Sequence, residues 1–453
     1  MRVIFNQGEE SIASSGDSAC FVSARRCFHP CPGVGFSLVR ALGLTSFLAV
    51  SSVAMAGELF QDRFEAVFYV PLNDTGVSWC RDAEQIELDC PVAGWPAQDG
   101  EFGRDALARL GQLPKQGSGA AGFDFTRLGA DGADLPSGYE QWSCVRDNHT
   151  GLVWEVKRND PDRLQHRAHT YTWFDQNPDS NGGGEGSPDG GQCAGSACDT
   201  QSYVAAINAM ALCGFSDWRL PTVSELHSIM HLGVSAPPID TDFFPHTQSF
   251  SDYWTGVTRP FNTGSAWVVS FWLGSDLSSL KSNARLLRLV RGARDGAGRN
   301  ADFPEQACWR SDFTPSAPSG DFRRVGDGSI VAHDRTGLEW QRCTLGQTWN
   351  GVTCTGDAEI MSWPDAIQRA DQIEGWRLPN AKELRTLVEF CLPGPAINRQ
   401  VFPATQNEYY HSNTPRAGTN PPGSWSIFFG AGSHIFLKVH QKGVIRLVRD
   451  PGG

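Results

Sequence analysis

Residues 218–226 read Trp218-Arg219-Leu220-Pro221-Thr222-Val223-Ser224-Glu225-Leu226, and residues 376–384 read Trp376-Arg377-Leu378-Pro379-Asn380-Ala381-Lys382-Glu383-Leu384. In each, a Thr or Asn stands three residues before a Glu. That is a capping box: the first side chain takes the N3 amide, and the Glu reaches back to the cap amide. Apolar residues at helical spacing follow, Leu226, Ile229 and Met230 in one stretch, Leu384, Leu387 and Val388 in the other. Trp218, Arg219 and Glu225, with Trp376, Arg377 and Glu383, are therefore read as scaffold that feeds a helix. A phrase this specific used twice marks an internal duplication.

The copies lie 376 − 218 = 158 residues apart. Ile239 and Ile397, Phe244 and Phe402, Trp267 and Trp425, and Phe271 and Phe429 keep that spacing. So do the closing phrases, Arg288-Leu289-Val290-Arg291 and Arg446-Leu447-Val448-Arg449. Upstream the register drifts: Tyr203 aligns with Trp363 at 160, and Thr150-Gly151-Leu152 with Thr336-Gly337-Leu338 at 186. Insertions collect in loops, so the constant stretch is expected to be scaffold.

The chain has 453 residues and a net charge of −12. That is enough for two domains with cores, and it disfavours nonspecific contact with nucleic acid or anionic lipid. Abundant Gly (49), Pro (27) and Trp (15) favour a loop-rich, partly β protein. Arg40, an apolar run from Ala41 to Val53, and Ala54-Met55-Ala56 predict an export signal over residues 1–56. Residues 1–38 are long for its leading part, which suggests a gene start placed too far upstream. The apolar run is too short to span a bilayer, so no membrane span is expected after cleavage. The mature protein is expected in the periplasm, on the outer surface or secreted.

Of 13 cysteines, three (Cys20, Cys27, Cys31) precede the cleavage site. The other ten predict up to five disulfides, with Cys80–Cys90 and Cys343–Cys354 as plausible short loops. The domain reading is a lead-in at 57–122 ending in a flexible Gly117–Gly122 linker, a first copy at 123–294, a linker at 295–320, and a second copy at 321–453. Asn73-Asp74-Thr75 fits a glycosylation sequon.

Past the capped helix both copies enter a long loop region rich in aromatics, and rings stack on sugars and anchor interfaces. The ligand candidates are Tyr253, Trp254 and Trp272 in the first copy and Tyr409, Tyr410, His411 and His434 in the second. Trp267 and Trp425 match in register on an alternating strand and read as core. Asp175, Asn177, Asp179 and Asn181, followed by Gly182, place oxygens at alternate positions as calcium sites do. The carboxylate expected at position 186 is a Gly, so a polar insertion is the favoured reading and calcium the alternative; no other cofactor is expected. His227 and His231 stand four apart, where the second copy has Arg385 and Glu389. Those two read as an exposed ion pair, which makes this helix face a solvated one. No G-x-S-x-G, H-E-x-x-H or phosphate-binding Gly loop is present, so a non-enzyme is expected.

Asp147, Thr150-Gly151-Leu152 and Trp154, then Cys198-Asp199-Thr200 with Tyr203 and Asn208, then Trp218 to Leu226 and the Arg-Leu-Val-Arg ending resemble the Lcl C-terminal domain family. That family is named for the C-terminal module of a bacterial collagen-like adhesin. The second copy matches closely through Trp376 to Leu384 and loosely around Asp334, Thr336, Leu338 and Trp340. The same phrases are similar, more distantly, to the formylglycine-generating-enzyme class of C-type-lectin-like folds. The resemblance implies an α+β protein of tandem C-type-lectin-like domains, each with two helices on small mixed sheets and long loops. It further implies adhesin-like recognition of a surface polysaccharide or glycoconjugate, or else an envelope structural or protein-interaction module. The formylglycine enzymes use cysteines near the end of the domain, whereas here the last is Cys391.

Overall fold

The computed structural model describes residues 71–136, 138–292, 302–418 and 422–450. The predicted export signal and the first linker residues lie outside them. Residues Phe64–Gly453 form one compact unit, in which both copies and the lead-in share their packing.

The lead-in contributes one helix, α1 (Gly103–Arg109). The first copy follows as β1 (Phe125–Leu128), β2 (Cys144–Asp147), β3 (Val153–Glu155), α2 (Thr200–Ala209), α3 (Val223–Ser228), β4 (Asp252–Arg259), β5 (Asn262–Ser270), β6 (Asp276–Leu280) and β7 (Val290–Arg291). The second runs β8 (Phe322–Val325), β9 (Ile330–His333), β10 (Glu339–Gln341), β11 (Thr348–Trp349), β12 (Cys354–Thr355), β13 (Met361–Ser362), α4 (Trp363–Asp371), α5 (Ala381–Arg385), β14 (Tyr409–Pro415), β15 (Gly423–Phe428), β16 (Ser433–Lys438), β17 (Lys442–Gly443) and β18 (Val448–Arg449). Each copy builds a four-stranded sheet, β1-β2-β3-β7 or β8-β9-β10-β18, and a three-stranded one, β4-β5-β6 or β14-β15-β16. The architecture is α+β. The ladders are antiparallel rather than mixed, and parallel pairing is confined to isolated bridges such as Tyr253–Leu286 and Tyr410–Val444.

The opening phrase does what its spacing predicts. Thr222 Oγ1 accepts from the Glu225 amide at 3.1 Å and the Thr222 amide donates to Glu225 Oε2 at 2.8 Å. Asn380 and Glu383 repeat the box at 2.9 and 2.8 Å. The Arg adds a second clasp. Arg219 donates to both Glu225 oxygens at 2.8 and 2.7 Å, and Arg377 to both Glu383 oxygens at 2.7 and 2.8 Å. Its backbone pairs with the closing strand, Arg219 with Val290 and Arg377 with Val448. The start of each capped helix is thereby tied to the end of its copy.

Aligned contacts correct one register. Trp173 Nε1 donates to Thr255 O at 2.9 Å, and Trp363 Nε1 to Ser412 O at 2.7 Å. Trp363 therefore takes the place of Trp173, not of Tyr203, and the segment from Asp175 to Asp199 is inserted between that Trp and its helix. On α2, Tyr203 and Ile207 are buried, while Met210, the C-cap, is exposed.

All ten cysteines of the described residues pair: Cys80–Cys90, Cys144–Cys213, Cys193–Cys198, Cys308–Cys391 and Cys343–Cys354. No helix of the described residues is long and apolar enough to cross a membrane.

One apolar cluster runs from Val77 and Phe123 through Trp154, Leu226 and Trp267 to Trp340, Leu384, Trp425 and Val448, so the copies share a core. The faces that seal them together are the ones read as solvated. His227 and Arg385 are buried, and both hold Asp276. Arg385 Nη1 donates to Asp276 Oδ2 at 2.6 Å, and the His434 amide joins it at 3.0 Å. Glu389 is buried as well. It has no bond to Arg385 but accepts from the amides of Ser316 and Ala317 at 2.9 Å, pinning the linker. His231 lies against Gly76 of the lead-in and accepts from the Gly233 amide at 3.2 Å.

The lead-in is a wedge, not a tether. Lys382 Nζ donates to Asp74 O at 2.7 Å and to Ser228 O at 3.0 Å, joining lead-in, second copy and first copy at one ammonium. Asn73 is buried, which removes its sequon from any glycosylating surface. The Gly117–Gly122 stretch is fixed: Ser118 bridges Phe125, and the Ala120 amide donates to Asp240 at 2.8 Å. Asp74, Asp99 and Asp105 of this wedge are buried together, and burial raises all three carboxyls, Asp99 to about 7.

Candidate functional site

The segments between capped helix and last strands, expected to be loops, each contain a strand, β4 or β14. A strand sends alternate side chains to opposite faces, and here both faces are covered. Tyr253 enters the shared core and Trp254 a second apolar cluster with Trp173, Tyr203 and Trp218. Tyr410 and His411 are buried likewise, and Tyr409 is half-buried against Phe428, centroids 4.7 Å apart. His434 is buried where the copies meet, stacked on Trp425 at 4.5 Å. The expectation that Tyr253, Trp254, Tyr410, His411 and His434 face a ligand is therefore corrected: their rings are enclosed by strand pairing and by the other copy. Trp267 and Trp425 are core, as read.

Trp272 is different. It lies in the turn after β5 with 52% of its surface exposed, and its ring is 5.5 Å from that of Phe250, which is 70% exposed. Phe250 lines a groove of about 300 Å³, and Trp272 lies beside it through that ring contact. Ala168, Ala284 and Leu286 supply its apolar lining; Thr170, Gln248, Ser251, Asp252 and Arg285 supply its polar groups. Arg285 Nε lies 3.6 Å from Asp252 Oδ2 in a partly exposed ion pair. Such a pair contributes little to stability but presents donors and acceptors side by side.

The groove's backbone is held on every side. The Gln248 amide donates to the buried Tyr253 hydroxyl at 3.0 Å, the Phe271 amide to Ser251 O at 3.1 Å, and the Leu286 amide to Asp252 O at 3.2 Å. Arg285 and Tyr171 exchange both backbone bonds at 2.8 and 3.0 Å. Phe250 sits at φ 64°, a left-handed conformation that costs a non-Gly residue about 1 kcal/mol. Its exposed ring gains no burial in return.

The second copy has no equivalent. Trp272 and Arg285 fall on Gly430 and Gly443 at the common spacing, and Asp252 on Tyr409 through the strand registers. The loop is also one residue longer in the first copy: Gln248 and Tyr253 are 5 apart, Gln406 and Tyr410 only 4. That length difference is the sequence signal that would have pointed to Phe250. Gln248, Asp252, Arg285 and Thr170 carry no motif and become visible only in the fold.

The Asp175 loop is knit by its own turns. Asp175 Oδ1 accepts from the Asn177 amide at 2.9 Å, Asn177 Oδ1 from the Asp179 amide at 3.0 Å, and Asn181 Oδ1 from the Gly183 amide at 2.8 Å. These are Asx-type uses of the same side chains. Asn181 is buried, whereas Asn177 and Asp179 are exposed. The one cluster of metal-ligand types gathered among the described residues is Cys308, Glu389 and Cys391, and its two sulfurs are spent in a disulfide.

Fold and site together define a disulfide-stapled tandem α+β protein whose duplicated halves share a core and whose first half alone carries an aromatic-rimmed groove. The chain belongs to the Lcl C-terminal domain family, which matches residues 143–291 and 329–449, one segment in each copy. Comparison with curated proteins and with solved structures gave no match.

Proposed function

We propose that this protein is an exported, non-catalytic binding protein of C-type-lectin-like architecture that recognises a surface polysaccharide through the first-copy groove. The observation that carries the reading is Phe250, an exposed ring that lines the groove with Thr170, Gln248, Asp252 and Arg285 and has the exposed ring of Trp272 beside it. A pyranose has an apolar face edged by hydroxyls. Aromatic rings cover the face, while Arg285, Asp252, Gln248 and Thr170 donate to and accept from the edge. Preformed backbone lowers the ordering cost of binding. A net charge of −12 favours a neutral polymer over a sulfated one. Five disulfides support a life outside the reducing cytosol, and family membership supports a place at the bacterial surface.

A glycan array probed with the disulfide-bonded protein tests the proposal. Retention on neutral, flat-faced β-linked glycans, abolished in Trp272→Ala, supports it; no retention on any glycan overturns it.

A further inference from the structure

Three buried side chains meet where the lead-in, the first copy and the second copy join: Asn73, Asp147 at the end of β2, and Lys382 of α5. Lys382 Nζ donates to Ser228 O at 3.0 Å, and Asn73 Nδ2 donates to the same oxygen at 3.3 Å. The amine and the carboxamide are thus neighbours on one acceptor. Lys382 Nζ is also held beside Asn73 by Asp74 O at 2.7 Å. Asn73 Nδ2 donates in addition to Asp147 Oδ2, and that carboxyl is itself fixed by Thr150 Oγ1 at 2.7 Å and by the His149 amide at 3.0 Å. Asn73 Oδ1 is buried without a hydrogen-bond partner among the described residues, and an orphaned group of this kind calls for a role. The Phe123 ring, its centroid 4.8 Å from Nζ, adds an apolar neighbour. Burial lowers the Lys382 ammonium from 10.5 to about 8 and raises the Asp147 carboxyl. The amine is thereby shifted toward its neutral, nucleophilic form and the carboxyl toward its proton-donating form.

We propose that Lys382 and Asn73 join in an intramolecular isopeptide bond, with Asp147 as the acid–base group. The neutral amine leaves Ser228 O and attacks Cγ of Asn73. The Cγ–Nδ2 bond breaks as Asp147 gives its proton to the departing Nδ2 and takes one back from Nζ. One amide replaces another, one ammonia leaves, the carboxyl is restored, and nothing is oxidised or reduced. Enclosure keeps water from competing for Cγ. The product ties the lead-in to the second copy by a bond that, unlike the five disulfides, no reductant opens.

Mass spectrometry of the purified, reduced protein tests it. The intact chain, counted from its sequenced N-terminus, is expected to be lighter than its sequence by one ammonia. Trypsin is expected to release residues 64–81 joined to residues 378–385, uncut at Lys382. Asp147→Asn removes the acid with little change of shape and is expected to give the two peptides separately and the full mass. A wild-type chain at full mass, with Lys382 cut by trypsin, overturns the proposal whether or not the variant folds. Loss of ammonia without the joined peptide, which closure of Asn73 on its own backbone would give, overturns it too. The joined peptide at wild-type yield in Asp147→Asn removes Asp147 from the reaction and overturns the mechanism.

Discussion

Arg385 of the second copy donates Nη1 to Asp276 Oδ2 of the first at 2.6 Å, and both side chains are buried. Burial alone would raise the Asp276 carboxyl, but Arg385 and His227 outweigh it and hold it below the usual carboxylate range. Breaking one side of such a pair strands the other charge in a low-dielectric interior. Arg385→Met is therefore expected to lower the unfolding free energy by about 3 kcal/mol, with Asp276→Asn/Arg385→Met regaining much of the loss. Urea denaturation of the two variants checks this; an unchanged midpoint in the single variant would remove the pair from the account of how the copies are joined.

The disulfides should differ in weight according to the loop each closes. Cys144–Cys213 spans 69 residues and Cys193–Cys198 only 5. Chain-entropy arithmetic gives about 4 kcal/mol for the first and about 2 for the second. Replacing each pair by Ala and measuring unfolding should reproduce that order, and a thiol count on the folded protein should find none free among the ten.

The wedge carboxyls set a pH dependence with a definite sign. Burial first, then the neighbouring Asp105, raises Asp99 from 3.8 to about 7. A raised pKa contributes stability that is complete below the unfolded value and is lost as pH rises through the folded one. Asp99→Asn stays neutral, so its stability relative to wild type should climb between pH 4 and 7 and level off above, by about 1–3 kcal/mol. The buried histidines act oppositely. Burial lowers His227, His231 and His411 from 6.5 to about 4, so their contribution is lost as pH falls from 6.5 toward 4. Melting curves of wild type and Asp99→Asn across pH 4–8 separate the two; a constant difference would contradict the Asp99 assignment.

The scaffold was legible because its determinants are local. A capping box is written within four residues, and the Trp267 and Trp425 strands show their alternation directly. What covers a face is not local. His227 and Arg385 look like an exposed helix surface until the other copy is laid on it, and Asn73 looks like a sequon until the lead-in is wedged against Lys382. Trp254 and His411 look like loop aromatics because the strands that hold them have both faces buried and so lack the polar alternation that marks a half-exposed strand. Of the predicted ligand residues, Trp272 stays exposed because a turn, not a ladder, carries it. Its partner Phe250 was hidden in a one-residue difference between copies.

A sugar in the first-copy groove would lie against Phe250, with Trp272 beside it. The most direct measurement is the affinity of wild type and Trp272→Ala for the glycan retained on the array, with the thermal midpoint recorded alongside. A ring this exposed supports little of the fold, so an unchanged midpoint and a loss of at least about tenfold in affinity are expected. Full affinity in Trp272→Ala would contradict it.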